Sequence, residues 1–277
     1  MRRRDFLAAT SATLAIPGWR RLAPPRDKLA QIGLELYTVR TELQRDFAGT
    51  LRQVAAIGYR EVEFAGYYGR SPGEIRSALA AAGLSAPSAQ VPSSELRVSW
   101  AARVEQARAV GHRYLVCGWV PPGERGSLAD WRSLATLLNA VGQAARHAEM
   151  QLAYHNHDFE FVPVNGRAPY DLLLELTDPA LVQLELDVYW ARKGGRDPLS
   201  LFARWPGRFP LLHLKDMAPG PRGEFTELGR GVIDFRPILA HGGSAGVRHV
   251  FVEQDEGKTS PLERARIAYD YLEQLEF

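Results

Sequence analysis

The chain has 277 residues, of which 45% are hydrophobic and 24% charged, with seven histidines and a single cysteine, Cys117. This is ordinary globular composition, enough for one large domain or two small ones. One cysteine excludes an internal disulfide and a multi-cysteine zinc site. The net charge of +2 is concentrated in Arg2, Arg3, Arg4, Arg20 and Arg21, which leaves the rest of the chain without the basic footprint of a nucleic-acid binder.

The N-terminus reads as an address. "MRRRDFLAATSATLAIPG" has a basic start followed by an apolar stretch from Phe6 to Ile16. Eleven residues are too few to span a bilayer as a helix, so no stable membrane anchor is expected. The order Arg3-Arg4-Asp5-Phe6-Leu7 resembles the twin-arginine export signal. It implies the export machinery as a partner and a periplasmic or secreted destination. Residues 1–28 are therefore set apart, and 29–277 are expected to form one domain.

From Gln31 onward, short β-rich runs alternate with helical patterns. The runs are "QIGLELY" (31–37), "YREVEFA" (59–65), "LSAPSAQV" (84–91), "RYLVCGWV" (113–120), "QLAYHN" (151–156), "LVQLELDV" (181–188), "PLLHLK" (210–215) and "VRHVFVEQ" (247–254). Between the first two, Phe47, Leu51, Val54 and Ile57 mark one face of a helix that Gly58 stops. "SPGEIRSALAAAG" opens with a serine cap and a proline and stops at Gly83. "SELRVSWAARVEQARAVG", "SLADWRSLATLLNAVGQAARHAEM" and "SPLERARIAYDYLEQL" follow the same plan. Eight strand-then-helix units at about 31 residues each predict a (β/α)8 TIM barrel, α/β in class and single in domain. A doubly wound sheet would usually carry a glycine-rich loop after its first strand. "TVRTELQRD" stands there instead. The longest irregular stretch, residues 216–234, follows the seventh strand, and loops of that length in compact domains are often functional.

In such a barrel the C-terminal strand ends converge on the active-site face. The first three strands offer Glu35, Glu63 and Gln90. The fifth offers His155, Asn156 and His157, the sixth Glu185 and Asp187. The seventh offers His213, Lys215 and Asp216, the eighth Glu253 and Asp255. His155, Asp187, His213 and Glu253 come from four consecutive strands, spaced 32, 26 and 40 residues apart. Two imidazoles and two carboxylates around one centre suit one divalent ion of borderline character, Mn²⁺, Co²⁺ or Zn²⁺. Without a cation, two such carboxylates repel and one must take a proton. His112, His147, His241 and His249 sit in or beside helical stretches and read as structural or exposed. Tyr67, Tyr68, Trp119 and Trp190 fall just past strand ends, as rim packing or as sugar-stacking platforms.

The pieces "GLELYTVR", "GYREVEFAGYYG", "YHNHDFEF", "LELDVYW", "HLKD", "GRGVIDF" and "VFVEQD" run from residue 33 to 255. Together they resemble the xylose-isomerase-like barrel superfamily, the sugar phosphate isomerase/epimerase group. The resemblance assigns Asp187, His213 and Glu253 to the family's metal-binding Asp, His and Glu. The family's first ligand is commonly the Glu of a Glu-Asn-His run. Here the run is His155-Asn156-His157, which makes His155 the expected replacement.

What the resemblance implies is a metal-dependent sugar or keto-sugar isomerase or epimerase that abstracts a proton beside a carbonyl. Glu253 is the expected base. His157 and Lys215 are candidates for proton donation or oxyanion contact, and Glu63, Tyr67, Asn156, Trp190 and Asp216 for contact with a small sugar. Epimerases of this kind use two metal-bound glutamates on opposite faces of the substrate. His155 in the first place leaves elimination, as in the related inosose dehydratases with their His-rich fifth strand, as the alternative, and a non-catalytic sugar-binding barrel as a reading of another class. The superfamily's apurinic endonuclease branch uses a trinuclear zinc site with more histidines and a basic groove, and this sequence has neither.

Overall fold

Eight short runs of aliphatic and β-branched residues pair side by side in parallel, and the first also pairs with the last. The strands are β1 (Gly33–Glu35), β2 (Glu61–Phe64), β3 (Ser85–Pro92), β4 (Tyr114–Trp119), β5 (Gln151–His155), β6 (Val182–Asp187), β7 (Leu211–Leu214) and β10 (His249–Val252). They close in the order β1-β10-β7-β6-β5-β4-β3-β2. This computed structural model describes residues 27–277. The arginine-rich N-terminal segment, expected to direct export, lies outside the described residues. The domain edge is marked by backbone pairing of Asp27 with Phe277, at 2.8 and 3.0 Å. Among the described residues no helix is long and apolar enough to cross a membrane.

Every expected strand is present within two residues at each end. The ends are trimmed where side chains take over from the ladder. Glu35 accepts the N–H of Tyr37 at 2.8 Å, and Asp187 that of Trp190 at 2.8 Å. In each case the last acid of a strand starts the helical turn that follows. The long helices Phe47–Ile57, Pro72–Ala82, Ser93–Val110, Leu128–His147 and Pro261–Gln274 match the sequence patterns. Pro72–Ala82 shows the expected signals at both ends: Ser71 and Glu74 form a capping box, and Gly83 closes it at φ 68°. Ser93–Val110 is kinked at Ser99, which leaves helical geometry. Residues 216–234 fold back through a two-stranded antiparallel ribbon, β8 (Asp216–Met217) with β9 (Phe225–Thr226).

Side chains alternate across each strand, and this alternation builds the site. In β7, Leu212 and Leu214 join the large apolar layer under the helices, while Leu211 and His213 face the barrel axis. In β5 the inward pair is Ala153 and His155, and along β10 it is Phe251 and then Glu253. The inward positions therefore start apolar and end polar. Tyr114, Val116, Ala153, Leu211 and Phe251 form a small separate plug inside the barrel. Gly33 makes room for it, since a Cβ there would meet the Phe251 ring at 2.3 Å. Below the plug, His249 contacts Glu61 at 2.8 Å. His249, expected beside a helix, is thus the first residue of a barrel strand. Above the plug the axis carries Glu63, His155, Glu185 and His213.

Candidate active site and metal centre

At the C-terminal mouth, His155, Asp187, His213 and Glu253 offer one ligand atom each, and these four atoms lie within 4.8 Å of one another. All four residues are buried. His155 and Asp187 end β5 and β6, His213 is next to last in β7 and Glu253 follows β10; these strands are neighbours in the barrel, so the pairings Asp187↔His213 and His213↔Phe251 bring the four to one level. The donors fit a divalent ion: two imidazoles, two carboxylates and a buried Asp187 Oδ2 that accepts no hydrogen bond.

Each imidazole is held from behind. His155 Nδ1 lies 3.0 Å from Glu185 Oε2, and His213 Nε2 lies 2.9 Å from Glu63 Oε1. The amide of Gln90 donates to both acids, at 2.8 Å to Glu63 and 3.1 Å to Glu185. Gly118 leaves the space for that amide, because a Cβ there would stand 2.1 Å from Gln90 Oε1. Both glutamates are fully buried. Burial and the charge of Glu63 push the Glu185 carboxyl up to about 8. Burial works the same way on Glu63, but the His213 ring beside it outweighs burial and holds Glu63 below the ordinary range. Carboxylates behind metal-binding histidines fix ring orientation, and changing one typically costs about 10–100-fold in metal affinity. Glu185→Gln should show a loss of that size in a chelator competition. Unchanged affinity would place the ligands elsewhere.

Lys215 is 2% exposed and sits among three carboxylates. Its Nζ lies 2.8 Å from Glu253, 3.2 Å from Asp187 and 3.2 Å from Asp255. Burial works against its charge, but these three acids outweigh it and hold the ammonium well above the ordinary lysine range. Glu253 shows the complement: burial is overcome by Lys215 and His213, so its carboxylate stays ionised. Burial raises Asp255 to about 7 and raises Glu35 and Asp187 as well. Carboxyl groups outnumber the cations here, and a divalent ion would relieve that excess.

The run after β5 is organised by Glu160, which is fully buried. It accepts Tyr154 Oη at 2.6 Å and the backbone N–H of His157 at 2.8 Å. Burial pushes its carboxyl up to about 8. The turn so pinned aims His157 at the cavity between the rings of Trp119, Phe159 and Trp190, at centroid distances of 4.9, 5.2 and 5.5 Å. Burial drops the His157 imidazole to about 3, so it is neutral.

A cavity of about 630 Å³ opens above the quartet, within the usual range for small-molecule sites. Glu35, His155, His157, Trp190, Lys215 and Glu253 are on its wall. Four residues expected at the substrate are not. Glu63 lies beneath His213. Tyr67 stacks on His112 at 5.9 Å and packs on Phe64. Asn156 bridges to the backbone of Asp187, donating at 3.3 Å and accepting at 3.1 Å, and so sets the height of that acid. Asp216 accepts four backbone N–H groups, from Met217, Gly229, Gly231 and Ile233, and is the anchor of the long loop. That loop carries Phe225 against Tyr189 and Trp190. Tyr37 and Arg125 line the cavity without having been singled out in the sequence. Tyr37 follows a strand-end acid by two residues, a spacing that could have flagged it.

A closed (β/α)8 barrel with an ionisable quartet at its C-terminal mouth is the architecture of a barrel enzyme. The chain belongs to the xylose isomerase-like TIM barrel family, whose sequence model matches residues 51–275. It is 35% identical over 163 residues to the inosose dehydratase of Lacticaseibacillus casei, covering 52% of this chain and 54% of that protein. The chain thus spans about half the length of the first curated relatives it matches. The inosose dehydratase of Geobacillus kaustophilus is 30% identical over 269 residues, covering 81% of this chain and 86% of the relative. Among solved structures, a sugar phosphate isomerase/epimerase from Parabacteroides distasonis superposes with a TM-score of 0.79 at 24% identity, covering 89% of this chain and 99% of that one.

Proposed function

We propose that this chain is a metal-dependent enzyme acting on a keto-sugar or cyclic polyol ketone, and that it removes a proton beside the carbonyl and then expels a β-substituent as water or an alcohol. One observation carries this reading. Glu253 and Glu35 follow and end the neighbouring strands β10 and β1 on one side of the cavity, while β4 and β5 across from them bring indole and imidazole rings. An ionised carboxylate beside a buried carboxyl suits elimination from a single face. It does not suit the two opposed glutamates of an epimerase.

When bound, the divalent ion supplies Lewis-acid polarisation of the carbonyl and its neighbouring hydroxyl. Glu253 takes the proton from the carbon beside the carbonyl. The β C–O bond breaks, and the departing oxygen takes the proton of Glu35, whose Oε1 is buried without a hydrogen-bond partner. Lys215 offsets charge on Glu253, and Trp190 supplies a face for the ring of the substrate. The inosose dehydratase relatives support elimination. A second reading, isomerisation or epimerisation, shares the first proton transfer. His157 favours it, since its Nδ1 is buried without a partner at the far wall and could exchange a proton on the other face.

The test is proton NMR in D₂O with Mn²⁺, over a panel of inososes, ketoses and 3-keto-glycosides. Elimination shows as an unsaturated ketone and a released β-group, epimerisation as deuterium in an intact sugar. Neither product, with metal bound, would end both readings. Export through the twin-arginine route is proposed from Arg3 and Arg4 alone. Changing both to lysine should keep the chain out of the periplasmic fraction, and undiminished periplasmic accumulation would refute it.

A further inference from the structure

Arg125 leaves the loop between β4 and helix Leu128–His147 and lays its guanidinium over Phe159, 3.4 Å from the ring centroid, and beside Trp119 at 4.9 Å. These contacts fix its plane on the cavity wall. Its Nη1 is buried and has no hydrogen-bond partner. The acids nearest in the chain are already engaged: Glu124 by Arg97 and Ser93, at 2.9 and 2.7 Å, and Asp130 by the cap on Ser127. Lys215, the other fixed cation of this wall, has three carboxylates to itself. Arg125 is therefore a cation on the cavity wall with a buried donor that no protein group accepts.

The position of the guanidinium says where on a ligand that acceptor would be. From metal-quartet residue His155 the rings step outward to His157 at 5.0 Å and then to Trp119 at 4.9 Å, with Arg125 above the indole. One imidazole and one indole separate the guanidinium from the quartet. The cavity thus gathers Glu35, Glu253 and Asp255 around Lys215 at one end, and at the other sets Arg125 over Phe159, with Asp158 also on the wall.

We propose that Arg125 selects substrates bearing an oxyanion, a carboxylate or a phosphate, at the end of the sugar remote from the reacting carbonyl. This rests on the sugar reading of the site. The planar fork of a guanidinium is suited to grip such a group through paired N–H donors, which an ammonium cannot do.

The test is calorimetric titration of the full chain, with Mn²⁺ present, using D-glucose, D-glucuronate and D-glucose 6-phosphate as probes. The wild type should bind at least one charged sugar more tightly than glucose. Arg125→Gln should weaken that sugar by about ten- to a hundredfold and leave glucose unchanged, since hydrogen bonds to charged groups contribute in that range. Arg125→Lys should recover part of the preference. Preference for glucuronate alone identifies a carboxylate, and for the phosphate alone a phosphate. Equal affinities in the wild type, no binding of either charged sugar, or a parallel fall of all three in Arg125→Gln would overturn the proposal. The parallel fall is what a mere packing role on Phe159 and Trp119 would give. Binding is read here, not turnover. A chain that transforms no sugar in D₂O yet keeps this charge preference would lose the elimination reading and retain this one.

Discussion

Asp187→Asn should strip most of the divalent ion from the purified chain, as read by elemental analysis, while the barrel stays folded. The asparagine keeps an oxygen for the N–H of Trp190, so the cap on the following helix survives. It loses the charge of a buried oxygen that accepts no hydrogen bond and is paired with Lys215 at 3.2 Å. The loss should exceed the about 10–100-fold expected for a residue that acts through a ligand, such as Glu185. His213→Ala should lose the ion too, but it also removes the imidazole between Glu63, Glu185 and Glu253. Its melting temperature should fall further than that of Asp187→Asn, since like charges are left buried together. Chelation of the wild type should lower its melting temperature in turn, because an ion held at about a hundred times its Kd contributes about 2.7 kcal/mol. Full metal occupancy in Asp187→Asn would show that the quartet is not the site.

The quartet was legible because its members end consecutive strands, and that spacing survives without any coordinates. The strands were legible for a related reason: aliphatic runs bounded by helical patterns leave few other arrangements. What lay one layer deeper was not. Glu185 stands two residues before Asp187, so the period of a strand puts both on the barrel axis, but period alone does not say that one stands behind His155. That contact depends on register between β5 and β6, His155↔Glu185. It also changes what His155 means. A glutamate at 155 would face the Glu185 carboxyl at close range, so the usual family ligand and Glu185 are poorly compatible as neighbours. Asn156, Asp216 and Tyr67 were expected at the substrate for a simple reason: polar and aromatic residues at strand ends look alike, whether they face a ligand or hold a loop. Asp216 is used up by four backbone N–H groups that come from as far as Ile233, a closure that local sequence does not reveal. Arg125 was missed because it comes from a connection and not from a strand end.

Glu253→Gln should lose the chemistry far more than the ion. Glu253 is the one member of the quartet that combines a ligand position, a place on the cavity wall and an ionised carboxylate. His155 also lines the cavity, but its Nδ1 is taken by Glu185 and its other nitrogen is the one left for a metal. Asp187 and His213 are fully buried. Glutamine keeps the length of the side chain and an oxygen that can still face the ion beside His213 Nδ1, which lies 2.7 Å from Glu253 Oε2. It cannot take a proton from carbon. A positioned base contributes about 10²–10⁴-fold, or roughly 3–5 kcal/mol of barrier at about 1.36 kcal/mol per tenfold. The expected result is a fall of that size in deuterium exchange at the substrate carbon, with metal content reduced far less. Lys215 gives the matching control. Lys215→Met removes the ammonium that lies 2.8 Å from Glu253, so it should raise the pH at which Glu253 ionises and move the acid limb of the rate profile upward. The sign follows from the coupling: Lys215 is the leading favourable influence on that carboxylate, and activity that needs the ionised form is lost as pH falls through its pKa. If Glu253→Gln exchanged at the wild-type rate, the base would be another wall residue, and His157, buried without a partner on Nδ1, would be the next to test.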